Sequence, residues 1–171
     1  MRKLIGTTLL VAGVLLTPSL AVAQSEWGVD VGIVYSKPSA SPGVFRIGTP
    51  VDVRVGLKSA GQMMLEPRFT FLFASGSGST LTLADLGLNL LFGSNHRSGM
   101  YLTAGGALTF ASGGGNSATG FSVNGGVGTR SGTGNGGTRI EGFVRYDLES
   151  IDLGRPSTLN IGARIGMSFW K

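Results

Sequence analysis

The chain has 171 residues, of which 42% are hydrophobic, only 13% are charged and 30 are glycine. That balance excludes a charge-rich disordered tail and a coiled coil, and with 6 prolines and no Gly-X-Y period it excludes collagen as well. The length suits one domain, and the glycine content points to close backbone packing or tight turns.

Arg2 and Lys3 precede an apolar run from Leu4 to Leu16, then Pro18, then Ala21-Val22-Ala23, a small-x-small pattern ahead of Gln24. This order predicts a cleaved secretory signal peptide over 1–23 and a mature domain over 24–171. A membrane-anchoring helix needs about 20 apolar residues, more than this run supplies. Cleavage removes two bases and no acid, so the formal net charge of +5 falls to +3. The remaining bases form no cluster, and an exported address does not fit a nucleic-acid partner. With no cysteine, stability has to come from packing or from closure of the fold. No apolar stretch after the signal approaches 18 residues, which excludes a helical membrane protein. A membrane β-barrel survives this test, because its strands need only about 9 to 11 residues each.

In chain order, eight segments alternate with a period of two. Trp27, Val29, Val31, Ile33 and Tyr35 alternate with Gly28, Asp30, Gly32 and Val34. Val51 to Leu57 repeats the pattern, and Ser59-Ala60-Gly61-Gln62 supplies a turn. The third strand sets Leu65, Pro67, Phe69, Phe71 and Phe73 against Glu66, Arg68 and Thr70. After a Gly/Ser loop at 75–79, Leu81 and Leu83 begin a fourth strand. Its later apolar residues, Leu86, Leu88, Leu90 and Phe92, are out of phase with them, a slip near Ala84-Asp85 that a β-bulge or, equally, a later strand start would explain. Gly93 to Gly99 turns the chain into a fifth strand with Leu102, Ala104, Leu108 and Phe110 on one face. A weaker sixth strand carries Phe121, Val123 and Val127 and closes on the turn Ser131 to Gly137. Ile140 to Leu148 forms the seventh, and Leu159 to Phe169 the eighth. Short connections between eight strands predict an all-β, antiparallel up-and-down meander.

The charge phase is the strongest signal. Asp30, Asp52, Glu66, Asp85, Glu141, Asp147 and Glu149, with Arg54, Lys58, Arg68, Arg130, Arg139, Arg145 and Arg164, all fall on the phase opposite the apolar stripe. Acids and bases are equal in number, so an enclosed polar interior could pair them, where an unpaired buried charge would be costly. The alternation itself fits two architectures. A soluble calyx turns the apolar face inward around an apolar ligand, whereas an outer-membrane barrel turns it to lipid. Three features favour lipid. Trp27, Tyr35, Phe73, Phe92, Tyr101, Phe110, Phe121 and Phe169 concentrate near strand ends, where interface girdles would fall. The polar phase is rich in glycine (Gly28, Gly32, Gly56, Gly87, Gly105, Gly126, Gly128, Gly162, Gly166), too bare for a soluble surface but suited to a narrow interior. The signal peptide gives export without a retained anchor.

On this architecture, and on the closing strand Leu159, Ile161, Ala163, Ile165, Met167 and Phe169, the chain resembles the small eight-stranded outer-membrane barrels of Gram-negative bacteria, the OmpA/OmpX-like and opacity-type group. The resemblance covers 24–171 and implies a transmembrane barrel in the outer membrane with both termini periplasmic. It implies outside loops near 36–49, 75–79, 111–118 and 150–158, of which only the first is long. It also implies a C-terminal insertion signal, here Ile165, Met167, Phe169 and Trp170, read by the barrel-assembly machinery. The family usually ends on an aromatic, whereas Trp170 and Lys171 follow Phe169, so either aromatic could fill that role. The expected interior charge network comprises Asp30, Asp52, Arg54, Glu66, Arg68, Asp85, Glu141, Arg145, Asp147 and Arg164.

Chemistry finds little footing. His96, between Ser94 and Ser98, lies in an expected turn with no acid nearby to orient it as a base. One histidine and no cysteine leave a transition metal without ligands, and no loop clusters its acids for calcium. Gly125-Gly126-Val127-Gly128 lacks the Lys-Ser/Thr of a phosphate loop. The sequence therefore predicts a monomeric integral barrel with a structural or surface-interaction role, no catalysis and no cofactor, whose partners are outer-membrane lipid and the assembly machinery. The alternatives are the soluble calyx and a narrow, low-conductance pore.

Overall fold

The computed structural model describes residues 25–58, 63–76, 79–93, 97–113, 116–148 and 156–171. The expected signal peptide, the 59–62 turn, His96 and Glu149 lie outside them. Eight strands follow in chain order: β1 Ser25–Pro38, β2 Val44–Lys58, β3 Met63–Gly76, β4 Ser79–Phe92, β5 Gly99–Gly113, β6 Asn116–Thr133, β7 Gly136–Asp147 and β8 Thr158–Trp170. Each pairs antiparallel with the next, and β8 pairs with β1 from Glu26↔Trp170 to Pro38↔Thr158, which closes the barrel. Closure stands in for disulfides, because it leaves no strand edge unpaired.

The period-two pattern becomes an inside and an outside. In β1 every second residue from Glu26 to Ser36 is buried, while Trp27, Val29, Val31 and Ile33 are exposed. The apolar phase faces outward all round, with Val29 at 46% exposure, Leu88 at 50% and Ile165 at 53%. The calyx orientation is thereby reversed: the apolar stripe faces outward, and the buried phase is mainly polar and charged.

The strands are longer than the periodicity shows, which changes the loops. Residues 44–50 belong to β2, so the first connection is only 39–43 and is not the long loop expected over 36–49. Most of the expected 111–118 loop is also strand. No slip occurs near Ala84-Asp85, since β3–β4 and β4–β5 run in unbroken register through Thr70↔Asp85 and Asp85↔Thr109. Leu83 therefore stays on the inward phase and lines the lumen. The irregularity lies instead in β2. Register passes from Val31↔Val51 to Ile33↔Ile47, so Gly48, Thr49 and Pro50 oppose the single Gly32. Proline has no N–H to give the ladder, and a bulge is where a strand tolerates it. The β6–β7 hairpin turns on Gly134-Asn135, with Gly134 at φ +64°, a conformation that glycine adopts without a Cβ penalty.

Inward glycines make room for long side chains. A Cβ at Gly128 would overlap Cζ and the hydroxyl oxygen of Tyr101 and lie 2.8 Å from the Ile140 carbonyl oxygen, whereas one at the outward Gly142 meets nothing nearer than Val127 O at 4.0 Å. Gly128→Ala is expected to cost about 1–3 kcal/mol through overpacking. Gly142→Ala should stay within about 0.5 kcal/mol. Urea unfolding of the two variants side by side checks the pair, and equal costs would refute this use of glycine.

Candidate functional site

Among the described residues, polar chemistry concentrates in the lumen, which divides into two layers. The layer nearest Ser25 and Lys171 is sealed. Arg54, on β2, donates through Nε to Asp30 Oδ2 at 3.0 Å, through Nη1 to Glu26 and through Nη2 to Ser168 Oγ at 2.7 Å. Ser168 in turn donates to Glu26 Oε1 at 2.7 Å. Arg68, on β3, reaches Glu66 Oε1 at 2.8 Å, Asp30 Oδ2 at 3.0 Å and Asp52 Oδ2 at 3.3 Å. Arg139, on β7, donates to Glu66, Glu141 and the Tyr101 hydroxyl, and Tyr101 donates to Glu141 Oε2 at 2.8 Å. Arg164, on β8, bridges Glu141 and Asp52. Arg130 pairs with Glu26 Oε2 at 2.9 Å, and the guanidiniums of Arg130 and Arg139 lie 5.0 and 4.8 Å from the Tyr101 ring centroid.

Register explains why so many groups are needed. Asp30 stands directly opposite Asp52, Arg54 opposite Arg68, and Arg130 opposite Arg139. Like charges at opposed positions repel. Each opposed pair is neutralised by side chains from elsewhere in the barrel: Arg68 serves both Asp30 and Asp52, and Glu66 lies against both Arg130 and Arg139. The cluster works as a unit because every member is shared.

Of the residues that the sequence nominates, the structure joins Asp30, Asp52, Arg54, Glu66, Arg68, Glu141 and Arg164 in this layer. Asp85, Arg145 and Asp147 form a separate, half-buried group nearer the loops. There Arg145 donates to Asp85 Oδ2 at 2.5 Å, Asp147 Oδ1 at 2.6 Å and Thr109 Oγ1 at 3.1 Å. Five members of the inner layer are not among those nominated, and one of them, Ser168, carries no charge to signal it. Arg130 and Arg139 have the right parity but lie close to a glycine-rich turn. Glu26 precedes the alternation read from Trp27, yet it shares parity with Gly28 and Asp30. Tyr101 is a correction: it is no girdle residue but is buried at 3% exposure, because Gly99 starts β5 in the phase that turns residue 101 inward. Phe169 and Trp170 separate in the same way. Phe169 faces outward with Ile165 and Met167, while Trp170 is buried against the strand backbone at Gly132 and Gly137.

Met64, Leu91 and Tyr101 pack together below the charges, and Trp170 is buried at the same end. Toward the loops the lumen widens into a cavity of about 390 Å³, which reaches from Ser41 and Arg46 at the rim down to Thr103 and Glu141. No group of three or more metal-ligating side chains occurs among the described residues.

No protein-family model matches the chain, and no curated protein sequence matches it either. Solved structures do. The attachment invasion locus protein Ail of Yersinia pestis superposes with a TM-score of 0.50 at 14% identity, over 86% of this chain and 99% of Ail. The same protein in complex with the heparin analogue sucrose octasulfate gives 0.51 at 12% identity, over 86% and 99% of the respective chains. Neisserial surface protein A gives 0.51 at 14% identity, over 83% of this chain and 95% of that one. The chain has the fold of these small eight-stranded outer-membrane barrels.

Proposed function

We propose that this chain is an integral protein of the bacterial outer membrane, a non-catalytic barrel with a structural or surface-interaction role. One observation carries the reading: a continuous apolar exterior encloses a charged interior. Water would leave that exterior exposed far beyond the apolar patches of soluble monomers. Strands of 12 to 18 residues, tilted at about 40°, span a hydrocarbon layer of about 25–30 Å. The partners that follow are outer-membrane lipid around the barrel and the assembly machinery during insertion. A closed barrel has no free edge to recruit a second copy, which favours a monomer. Ser25 and Lys171 lie at the end opposite the 39–43 connection, which this reading turns outward. The names of the neighbours, with their references to attachment and to the surface, support an outward-facing role.

Expression in a Gram-negative host, isolation of outer membranes and electrophoresis of boiled and unboiled samples test the reading. Heat-dependent mobility in the membrane fraction is expected. A soluble product with no mobility shift would overturn it.

Within the same reading, Phe169 is the aromatic of the insertion signal, because it continues the outward row of Ile165 and Met167 that a partner strand can meet. Phe169→Ala should lower the yield of folded barrel in the membrane several-fold. Trp170→Ala should insert normally but unfold more readily. Quantifying the heat-modifiable band at matched expression separates the two, and the reverse pattern would transfer the role to Trp170.

The sealed layer also bears on conduction. Glu26, Arg54, Glu66 and Glu141 are fully buried across the lumen. Folded protein in planar bilayers is therefore expected to give no steady current. Reproducible stepwise openings would show that the charge layer rearranges into a pore.

A further inference from the structure

We propose that the loop-end cavity is a binding pocket for a small neutral polyhydroxylated molecule, of the sugar or polyol class, held by Asn89, Thr103 and Asn124. The proposal depends only on the barrel interior and not on what surrounds the barrel.

The cavity is not a by-product of packing around long side chains. Glycines in the sealed layer are small because something fills their space, as Tyr101 does at Gly128. Gly87 and Gly120 line the cavity under no such demand. A Cβ at Gly87 would meet Ala107 Cβ at 3.4 Å, and one at Gly120 would meet only Thr109 Cβ at 3.8 Å. A Cβ would be accommodated at both positions at ordinary contact distance. Its volume of about 390 Å³ lies within the range of small-molecule pockets, about 300–1,000 Å³.

The polar lining selects the ligand class. Asp52, Asp85, Glu141 and Asp147 face Arg46, Arg68, Arg145 and Arg164, so the formal charges of the wall cancel. The carboxylates already hold Arg68, Arg145 and Arg164. Of the charged groups in this wall only Arg46, at the rim, has no ion pair among the described residues, so an ion moving past it into the lumen would have to break a pair or sit uncompensated. A neutral solute does neither. Yet the wall is not satisfied as a hydrogen-bonding surface. Asn89 Nδ2, Thr103 Oγ1, Asn124 Oδ1, Asp85 Oδ1 and Arg164 Nε have no hydrogen-bond partner among the described residues, and Asn89 and Thr103 are only 1% and 5% exposed. Asn124 Nδ2 donates to Asn89 Oδ1 at 3.2 Å, which fixes the two carboxamides side by side and leaves one donor and one acceptor free. Exchanging N and O in both amides leaves the same complement. A site offering donors and acceptors in alternation matches vicinal hydroxyls, each of which donates and accepts.

The test uses the full folded chain in micelles of a detergent without a sugar headgroup, with the side-chain amides of Asn89 and Asn124 followed by NMR. Methyl α-glucoside is titrated in, with sodium acetate and methylammonium chloride as ionic controls. A saturable shift of both amides with the glucoside alone is expected. Gly87→Leu, which fills the cavity but keeps both asparagines, should weaken that binding at least about tenfold while leaving the heat-modifiable band intact. A linear, non-saturating response, an equal response to either ionic control, or unchanged binding in folded Gly87→Leu would overturn the proposal.

Discussion

Arg139→Met is expected to lower the stability of the folded barrel by about 3–5 kcal/mol, read as a fall in the urea midpoint of its unfolding in micelles. Methionine keeps the aliphatic stem and ends near the Nε position, so the loss is chiefly that of the guanidinium's charge and hydrogen bonds. Arg139 is 1% exposed and serves Glu66, Glu141 and the Tyr101 hydroxyl at once. Without it the sealed layer carries Glu26, Asp30, Asp52, Glu66 and Glu141 against only Arg54, Arg68, Arg130 and Arg164. One carboxylate is then buried without its counter-charge, and a buried uncompensated charge is far more costly than a missing pair. The double variant Arg139→Met with Glu66→Gln restores the balance. It should therefore be more stable than Arg139→Met alone by about 1–2 kcal/mol, a coupling that a double-mutant cycle isolates. If Arg139→Met lay within 1 kcal/mol of the parent, or if the two substitutions simply added, the shared cluster would not be holding the barrel.

Parity and register explain which parts of this lumen could be read from the chain. Alternation is local, so Asp30, Arg54 and Glu66 declare the face on which they lie. Whether that face is inside depends on closure, which no local pattern reports, and the exposed Val29, Leu88 and Ile165 settle it only once β8 pairs with β1. Pairing between distant groups is further from reach. Arg139 meets Glu66 across 73 positions of sequence, and nothing in either neighbourhood anticipates it. Tyr101 shows a different limit: position near a strand end assigns it to a girdle, whereas its parity, opposite Leu102 and Ala104, places it inward. The slip near Ala84-Asp85 has the opposite cause. Leu81 and Leu83 read as outward because they are apolar, but the register carries Leu83 inward, where it lines the cavity near the loops. Pro50 was the overlooked sign of the real irregularity.

Leu86→Arg should cost about 2–4 kcal/mol for the barrel folded in lipid vesicles, and the size of that cost distinguishes lipid from water at the outer face. Leu86 lies midway along β4, exposed between Phe69 on β3 and Leu108 on β5, which are exposed as well. In a bilayer this is the midplane, where a guanidinium is stripped of water and too far from either interface to reach it cheaply. Met63, the first residue of β3, is exposed at the terminal rim, where an arginine can extend its charge into headgroups and water. Met63→Arg is accordingly expected to cost no more than about 1 kcal/mol. Were the exterior in water, the contrast would vanish, since an exposed leucine exchanged for arginine changes stability by about 0.5 kcal/mol or less anywhere on such a surface. Unfolding free energies of the two variants and the parent, taken in the same vesicles, therefore report depth. A cost confined to the midplane position supports a spanning barrel, and equal small costs at both positions would remove the membrane from the account of this fold.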